Sequence, residues 1–122
     1  MVFNTDPHDE SGQHWFSMFV DIKGRNREKP TIYHYDSVST KPSQYIINLV
    51  NDIKKQGELV GISFDFLFND IRHQFKNTEC GVYSIHFLIS MLKGSDFEKY
   101  INMKLNDTDM EKFRKEFYVS LK

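Results

Sequence analysis

Features that define several protein classes are missing from this chain. It has one cysteine, Cys80, so no internal disulfide can form. It lacks the charged and then apolar N-terminal pattern of a secretory signal, and no segment approaches the ~20 apolar residues that span a membrane. Its 16 basic and 17 acidic residues leave a net charge of −1, which provides no overall field for nucleic acid or anionic lipid. We therefore expect a cytoplasmic or nuclear protein in a reducing compartment, with neither membrane nor nucleic acid as a partner.

Aromatic residues, by contrast, are abundant: they make up 15% of the chain and include eleven phenylalanines. A chain of this length buries roughly two thirds of its unfolded surface, so it can form a core without disulfides. No repeat, linker or low-complexity tract divides it. The sequence predicts one domain, residues 1–122, with a tight aromatic core or an aromatic-lined cleft.

The first half of the chain predicts two strands and a helix. One segment is apolar on both faces, which is typical of a central strand. A charged turn and a β-rich segment follow it, so an antiparallel hairpin is expected. Isoleucines and valines at helical spacing come next, behind a serine that can cap a helix. The predicted elements are a loop at 1–13, a strand at His14–Ile22, a turn at 23–30, a strand at Thr31–Asp36 and a helix from Ser43 to Gly57.

The second half predicts one strand and three helices. The strand is rich in Phe and Ile, and the first helix is apolar on nearly all sides, which indicates burial. The last helix carries apolar residues at helical spacing. The predicted elements are a strand at Val60–Phe68 and helices at Gly81–Leu92, Asp96–Met103 and Thr108–Leu121.

Cys80 stands at the start of the apolar helix, in the segment Gln-Phe-Lys-Asn-Thr-Glu-Cys-Gly-Val-Tyr at 74–83. The exposed N–H groups and the positive end of a helix dipole favour a thiolate there. Taken alone, however, a free cysteine is more often a small buried core residue. A cysteine hydrolase also needs an imidazole base, a group that orients the imidazole and donors for the oxyanion. The rest of the chain must supply these groups.

Five histidines could supply the base. One lies in a polar segment, one lies in the loop that leads to the cysteine, and a third, six residues beyond the cysteine on the same helix, points about 240° away from it. The other two lie on predicted strands, where one opens the first strand and one shares a strand face with Asp36. The candidate bases are therefore His14 and His34, and not His8, His73 or His86.

Three motifs carry a family resemblance. They are His14-Trp15 opening a strand, Tyr35-Asp36-Ser37 ending the next, and Gln74 six positions before Cys80-Gly81-Val82-Tyr83. In this order and context the chain resembles the ubiquitin-like-protein proteases, which are the SUMO-processing proteases and their adenovirus-protease relatives. The resemblance covers about residues 12–93, roughly two thirds of the chain. The segment at 77–83 and the Phe-rich tail look most like members encoded by large DNA viruses.

The resemblance implies a fold and a role for each matching residue. The implied fold is α+β and papain-like, with a central mixed or antiparallel sheet packed against a buried helix that starts at Cys80. Cys80 would be the nucleophile, His14 the general base and Asp36 the group that orients the imidazole. Gln74 would donate its side-chain amide to the oxyanion together with the Cys80 backbone N–H. Trp15 would line the channel that admits the substrate.

The implied function is that of a cysteine endopeptidase that hydrolyses a peptide or isopeptide bond after glycine. Its partner would be a protein substrate with a Gly-containing C-terminus or cleavage site, either a ubiquitin-like modifier or a viral polyprotein. For a viral member the virion is a further expected location. We expect no cofactor and no metal, because one cysteine and scattered histidines show no metal-ligand spacing. Family members usually carry more chain before the His-Trp strand than the thirteen residues here, so an N-terminally short catalytic domain is expected.

Two other functions fit the same motifs. Bacterial effector acetyltransferases resemble this family and use a similar His, acid and Cys set, although their acid is usually Glu, so Asp36 favours the protease. A non-catalytic module that binds a ubiquitin-like tail is the second alternative, and the short N-terminal segment is the reason to consider it.

Overall fold

The computed structural model describes residues 1–5, 14–73 and 80–121, of which residues 4, 5, 14, 80 and 117–121 are described by their backbone alone. These residues form a four-stranded mixed sheet in the order β1-β2-β3-β4 and four helices. The first three strands are antiparallel, and β4 pairs parallel with β3. The elements are β1 (Val2–Thr5), β2 (His14–Asp21), β3 (Thr31–Tyr35), α1 (Gln44–Leu59), β4 (Asp65–Phe68), α2 (Cys80–Leu92), α3 (Phe97–Ile101) and α4 (Asp107–Leu121).

The β2–β3 hairpin and the helices agree with the sequence prediction. β2 is central, with β1 on one side and β3 on the other. Ser43 caps α1, because its hydroxyl accepts the N–H of Ile46 at 3.3 Å. The helix runs two residues past Gly57, where a Cβ would come within 2.8 Å of the Phe64 ring. Gly57 therefore permits close packing of helix and chain and does not end the helix.

Two strand predictions need correction. The loop predicted at 1–13 is wrong for Val2–Thr5, which pairs with β2 as β1; the remainder of that loop lies outside the described residues. β1 has four residues, two apolar and two polar, which is too short to show the alternation that predicts a strand. The strand predicted at Val60–Phe68 starts at Asp65, because the N–H groups of Val60 and Ile62 bond the carbonyl of Gly57 and close the end of α1.

Each face of the sheet is covered by a different helix. Strand side chains alternate between faces, so Ile32 packs with α1 and its neighbour Tyr33 packs on the α2 side. α2 buries Tyr83 and Phe87 against the sheet, as predicted, and reaches the surface at Leu92, which is 73% exposed. No helix in the described part of the chain is long and apolar enough to cross a membrane.

Candidate active site

One end of the sheet brings the beginning of β2 next to the end of β3. The two strands are antiparallel, with Ser17 opposite Tyr35. His14 opens β2 three residues before this pair, and Asp36 follows it directly. The predicted base and the predicted acid therefore occupy neighbouring strand ends. Only the backbone of His14 is described, so its ring is not placed.

The first turn of α2 lies against the same end of the sheet. A Cβ added to Gly81 would lie 3.8 Å from Cγ and 3.9 Å from Cδ1 of Trp15. Trp15 follows His14, and Gly81 follows Cys80, so the start of β2 lies close to the first turn of α2. Trp15 is half-buried at this junction. The side chain of Cys80 lies outside the description, but α2 does begin at this residue, as the sequence predicted.

Asp36 is held at the end of β3 by bonds to both its backbone and its carboxylate. Its side chain is buried, at 2% exposure for the residue, and Oδ1 accepts the N–H of Val38 at 2.9 Å. Its carbonyl accepts the N–H of Ser39 at 2.8 Å. This tight turn directs the chain away from the sheet immediately after Asp36.

Segment 69–73 is joined to the end of β3 by hydrogen bonds that were not predicted from the sequence. Asn69, 2% exposed, bonds the backbone of Asp36 through its carboxamide. His73 donates its backbone N–H to the carbonyl of Ser37 at 2.8 Å. The two residues lie at either end of the segment that leads to Gln74, which itself lies outside the described residues. The available sequence signal was an asparagine directly after a predicted strand.

His73 is a buried, neutral histidine. Its Nε2 lies 3.0 Å from the carbonyl of Ile101, which can only accept, so Nε2 carries the proton. Nδ1, 2.7 Å from the Tyr35 hydroxyl, is therefore the acceptor. Burial lowers the pKa of His73 below its ordinary value, because it disfavours the charged ring. The ring thus connects the last residue of β3 with α3.

Tyr83 of α2 completes this connection. Its hydroxyl lies 3.1 Å from the carbonyl of His73 and 3.1 Å from Oδ1 of Asp107. Burial raises the pKa of Tyr83, and the Asp107 carboxylate raises it further, so the hydroxyl stays protonated and can donate. Segment 69–73, α2 and α4 are consequently joined by one buried polar group.

The remaining histidines lie in different settings. His34, the second candidate base, is 2% exposed within β3, and its ring centroid is 5.0 Å from that of Phe16. His86 bonds the Tyr100 hydroxyl through Nδ1 at 2.8 Å, and burial lowers its pKa. His8 lies outside the described residues. Across residues 1–5, 14–73 and 80–121, no group of three His, Cys, Asp or Glu side chains is arranged to hold a metal ion.

Comparison with known proteins places this arrangement in a family. The family described as "Ulp1 protease family, C-terminal catalytic domain" matches residues 1–122. A protein of Acanthamoeba polyphaga mimivirus that carries a thiol-protease name is 31% identical over 118 residues, which cover 96% of this chain and 37% of that protein. The SUMO-1 cysteine protease of a Namibian warthog isolate of African swine fever virus is 32% identical over 114 residues, which cover 93% of this chain and 41% of the viral protein.

Solved structures confirm the fold. A crystal structure of the selenomethionine form of the African swine fever virus protease matches with a TM-score of 0.83 and 31% identity over 93% of this chain and 41% of that one. The SUMO protease Ulp1 matches with a TM-score of 0.53 and 20% identity over 84% of this chain and 48% of that one, a likeness of fold alone.

This chain spans about two fifths of the length of the curated viral relatives it matches. Neither acetyl transfer nor a non-catalytic role is favoured by relatives that are named as proteases. The predicted likeness to members from large DNA viruses is confirmed, and so is the papain-like α+β fold. The chain belongs to the Ulp1 protease family and corresponds to its C-terminal catalytic domain.

Proposed function

We propose that this chain is the catalytic part of a cysteine endopeptidase that hydrolyses a peptide or isopeptide bond after glycine. The observation that supports the proposal is that Asp36 follows β3 at the end of the sheet where β2 begins with His14, while the Trp15 ring lies beside Gly81, next to the start of α2 at Cys80. The absence of a Cβ on Gly81 leaves room for the Trp15 ring beside the first turn of α2. A nucleophile, a base and an orienting acid on separate elements are the parts that such hydrolysis requires.

The proposed reaction has two stages. The Cys80 thiol gives its proton to His14, and its sulfur attacks the glycine carbonyl. The negative charge that develops on oxygen is stabilised by the Cys80 N–H and the Gln74 amide. His14 gives a proton to the departing amine as the C–N bond breaks, leaving an acyl-enzyme thioester. Water then attacks the thioester, His14 accepts its proton, and the thiol and the free C-terminal carboxylate are regenerated. Asp36 orients the imidazole and stabilises its charged form.

The proposed substrate is a protein whose C-terminus or cleavage site contains glycine. The African swine fever virus relative is named as a SUMO-1 protease, which supports a ubiquitin-like modifier as the substrate class. Trp15 is half-buried beside the start of α2, a position from which an indole can restrict a channel to an unbranched tail. A viral polyprotein cut at a glycine-containing site is the second substrate of the same chemistry.

Covalent labelling tests the proposal. A ubiquitin-like protein with an electrophile in place of its C-terminal carboxylate should add once to the folded chain, as measured by intact mass. Cys80→Ala should abolish the adduct. His14→Ala should slow labelling by about 100-fold or more, since general base assistance contributes on the order of 10²–10⁴.

Because Cys80 is the only thiol, ordinary thiol reactivity must be separated from catalysis. The chain unfolded in urea is the control, since it should react with iodoacetamide and not with the protein probe. Equal labelling of folded and unfolded chain, or labelling that persists in Cys80→Ala, would contradict the proposal. Probe binding without any adduct would also contradict it and favour the non-catalytic module.

A further inference from the structure

The Asn69 carboxamide forms hydrogen bonds with both peptide groups of one residue, Asp36. Its Oδ1 accepts the Asp36 N–H at 2.9 Å, and its Nδ2 donates to the Asp36 carbonyl at 2.6 Å. The same Nδ2 lies 3.2 Å from the carbonyl of Ile71. With 2% exposure, the carboxamide works where water does not compete, so these bonds are directional and costly to lose.

The bonds from Asn69 to Asp36 lie just beyond the last residue pair of β3 and β4. The parallel ladder between β3 and β4 ends at the pair His34 and Phe68, one residue before Asn69. Beyond this point the Asn69 side chain bonds both peptide groups of Asp36, whose carbonyl also accepts the Ser39 N–H at 2.8 Å. Bonds to the N–H and the carbonyl of the same residue restrain both of its backbone dihedrals, and these dihedrals set the direction in which the carboxylate leaves the chain.

A second buried asparagine shows what a purely structural version of this bond looks like. Asn26, 7% exposed, donates its Nδ2 to the carbonyls of Met91 at 3.0 Å and Ser95 at 2.7 Å. It ties the β2–β3 turn to the end of α2, at the opposite end of β2 from His14. Both asparagines are buried and bond backbone groups through their carboxamides. Asn26 connects a turn to a helix end, whereas Asn69 bonds the backbone of the candidate catalytic residue Asp36.

We propose that Asn69 is a positioning residue of the catalytic centre, whose carboxamide sets the backbone of Asp36 so that its carboxylate is presented to His14. The inference rests on the proposed function, because it requires Asp36 to orient and charge the His14 imidazole. In this role Asn69 acts through Asp36, whose backbone it bonds.

The test measures the pKa of the His14 imidazole by NMR in the Cys80→Ala chain, with the His14 signal assigned from His14→Gln. This readout needs no substrate and no turnover. Asp36→Asn should lower the pKa by about 1 unit or more, the shift expected when a neighbouring opposite charge is removed. Asn69→Ala should lower it by about half that amount or more, because the carboxylate remains but is no longer aligned. Asn26→Ala should leave it within about 0.2 units.

Each result has a defined meaning. If Asp36→Asn lowers the His14 pKa and Asn69→Ala does not, the inference is wrong and the proposed function stands. If Asp36→Asn itself has no effect, the assignment of Asp36 fails and the inference fails with it. An equal shift in Asn26→Ala would indicate general loosening and would also overturn the inference. Asn69→Ser, whose hydroxyl can bond one Asp36 peptide group, replaces Asn69→Ala if that variant does not fold, and an intermediate shift is expected.

Discussion

Under α1 the sheet is packed by aliphatic, methionine and phenylalanine side chains, with the buried His34 ring beside Phe16. Under α2 it is packed by tyrosines that bond histidines. Under α1 the buried cluster is Phe16, Met18, Ile32, Ile46 and Val50. Under α2 it includes four tyrosines, and three of them use their hydroxyls: Tyr35 bonds His73, Tyr83 lies within hydrogen-bond distance of His73 and Asp107, and Tyr100 bonds His86.

This difference corresponds to the position of the candidate site. Apolar contacts are non-directional and stabilise any arrangement that buries the same area, whereas hydrogen bonds in a buried setting specify distance and angle. The α2 face holds the end of β3 and segment 69–73, which lead to Asp36 and Gln74. The α1 face contributes stability, and the α2 face contributes stability together with the placement of the site.

The strongest test of this comparison is Ile46→Ala on the α1 face. Ile46 is 1% exposed, and truncating a buried isoleucine costs about 2–5 kcal/mol of unfolding free energy. The rate of probe labelling at Cys80, measured where both proteins are fully folded, should remain unchanged. Urea unfolding followed by fluorescence gives the free energy, and intact mass gives the labelling rate.

Tyr45→Ala is the matched control on the same helix, because Tyr45 is 73% exposed; it should change the unfolding free energy by no more than about 0.5 kcal/mol. A clear loss of labelling in folded Ile46→Ala would show that the α1 face also positions the site, and the contrast between the faces would fail.

The second test uses the pH dependence that a buried neutral histidine creates on the α2 face. Burial lowers the pKa of His73 in the folded chain. Below about pH 6.5 the unfolded chain therefore binds a proton at this histidine that the folded chain does not bind. The stabilisation is therefore present above pH 6.5 and is lost as the pH falls toward the native pKa.

His73→Gln should cost about 1–3 kcal/mol at pH 7.5, because a flexible amide replaces the buried ring that bonds the Tyr35 hydroxyl and the Ile101 carbonyl at the same time. This deficit should shrink on acidification by up to about 1.4 kcal/mol per pH unit below pH 6.5. Tyr35→Phe removes the same hydrogen bond and keeps the titrating ring, so its deficit should not shrink in the same way. A His73→Gln deficit that is constant from pH 7.5 to 5.5 would mean that His73 is not held neutral.

Much of the fold could be predicted because most of its helices and strands have a recognisable pattern in their own sequence. β2 is apolar on both faces, and α1 has a serine cap followed by apolar residues at helical spacing. β1 could not be predicted, since its four residues are too few to show an alternating pattern and its pairing with β2 defines it. The start of β4 was placed too early because the end of α1 continues into a hydrogen-bonded turn.

The candidate site, too, could be predicted only in part. That Cys80 would open a helix and that His14 would open a strand follow from apolar patterns beside them, and both elements begin there. The roles of Asn69 and His73 could not be predicted, because each depends on a backbone group more than 25 positions away in the chain. A side chain that bonds a distant peptide group leaves no periodic pattern.

The smallest expected effect lies at the surface, in the turn between β2 and β3. From its sequence this turn is a charged, solvated hairpin tip, but Arg27 and Lys29 lie 2.8 and 3.0 Å from the Asp65 carboxylate at the start of β4. Hydrogen bonds from Lys29 and then Arg27 lower the pKa of Asp65. Exposed ion pairs contribute little and are screened by salt, so Asp65→Asn should lower the thermal midpoint slightly in dilute buffer and not at all near 1 M NaCl.

Asp52→Asn is the matched control, since it removes the same charge from an exposed position of α1; it should have no salt-dependent effect on the midpoint. If the Asp65→Asn difference persists at high salt, or exceeds that of His73→Gln, the turn is held to β4 by more than surface electrostatics. In that case the charged turn would join the two sheet faces as a third region that determines stability, and the division between an aliphatic face and a hydrogen-bonded face would be incomplete.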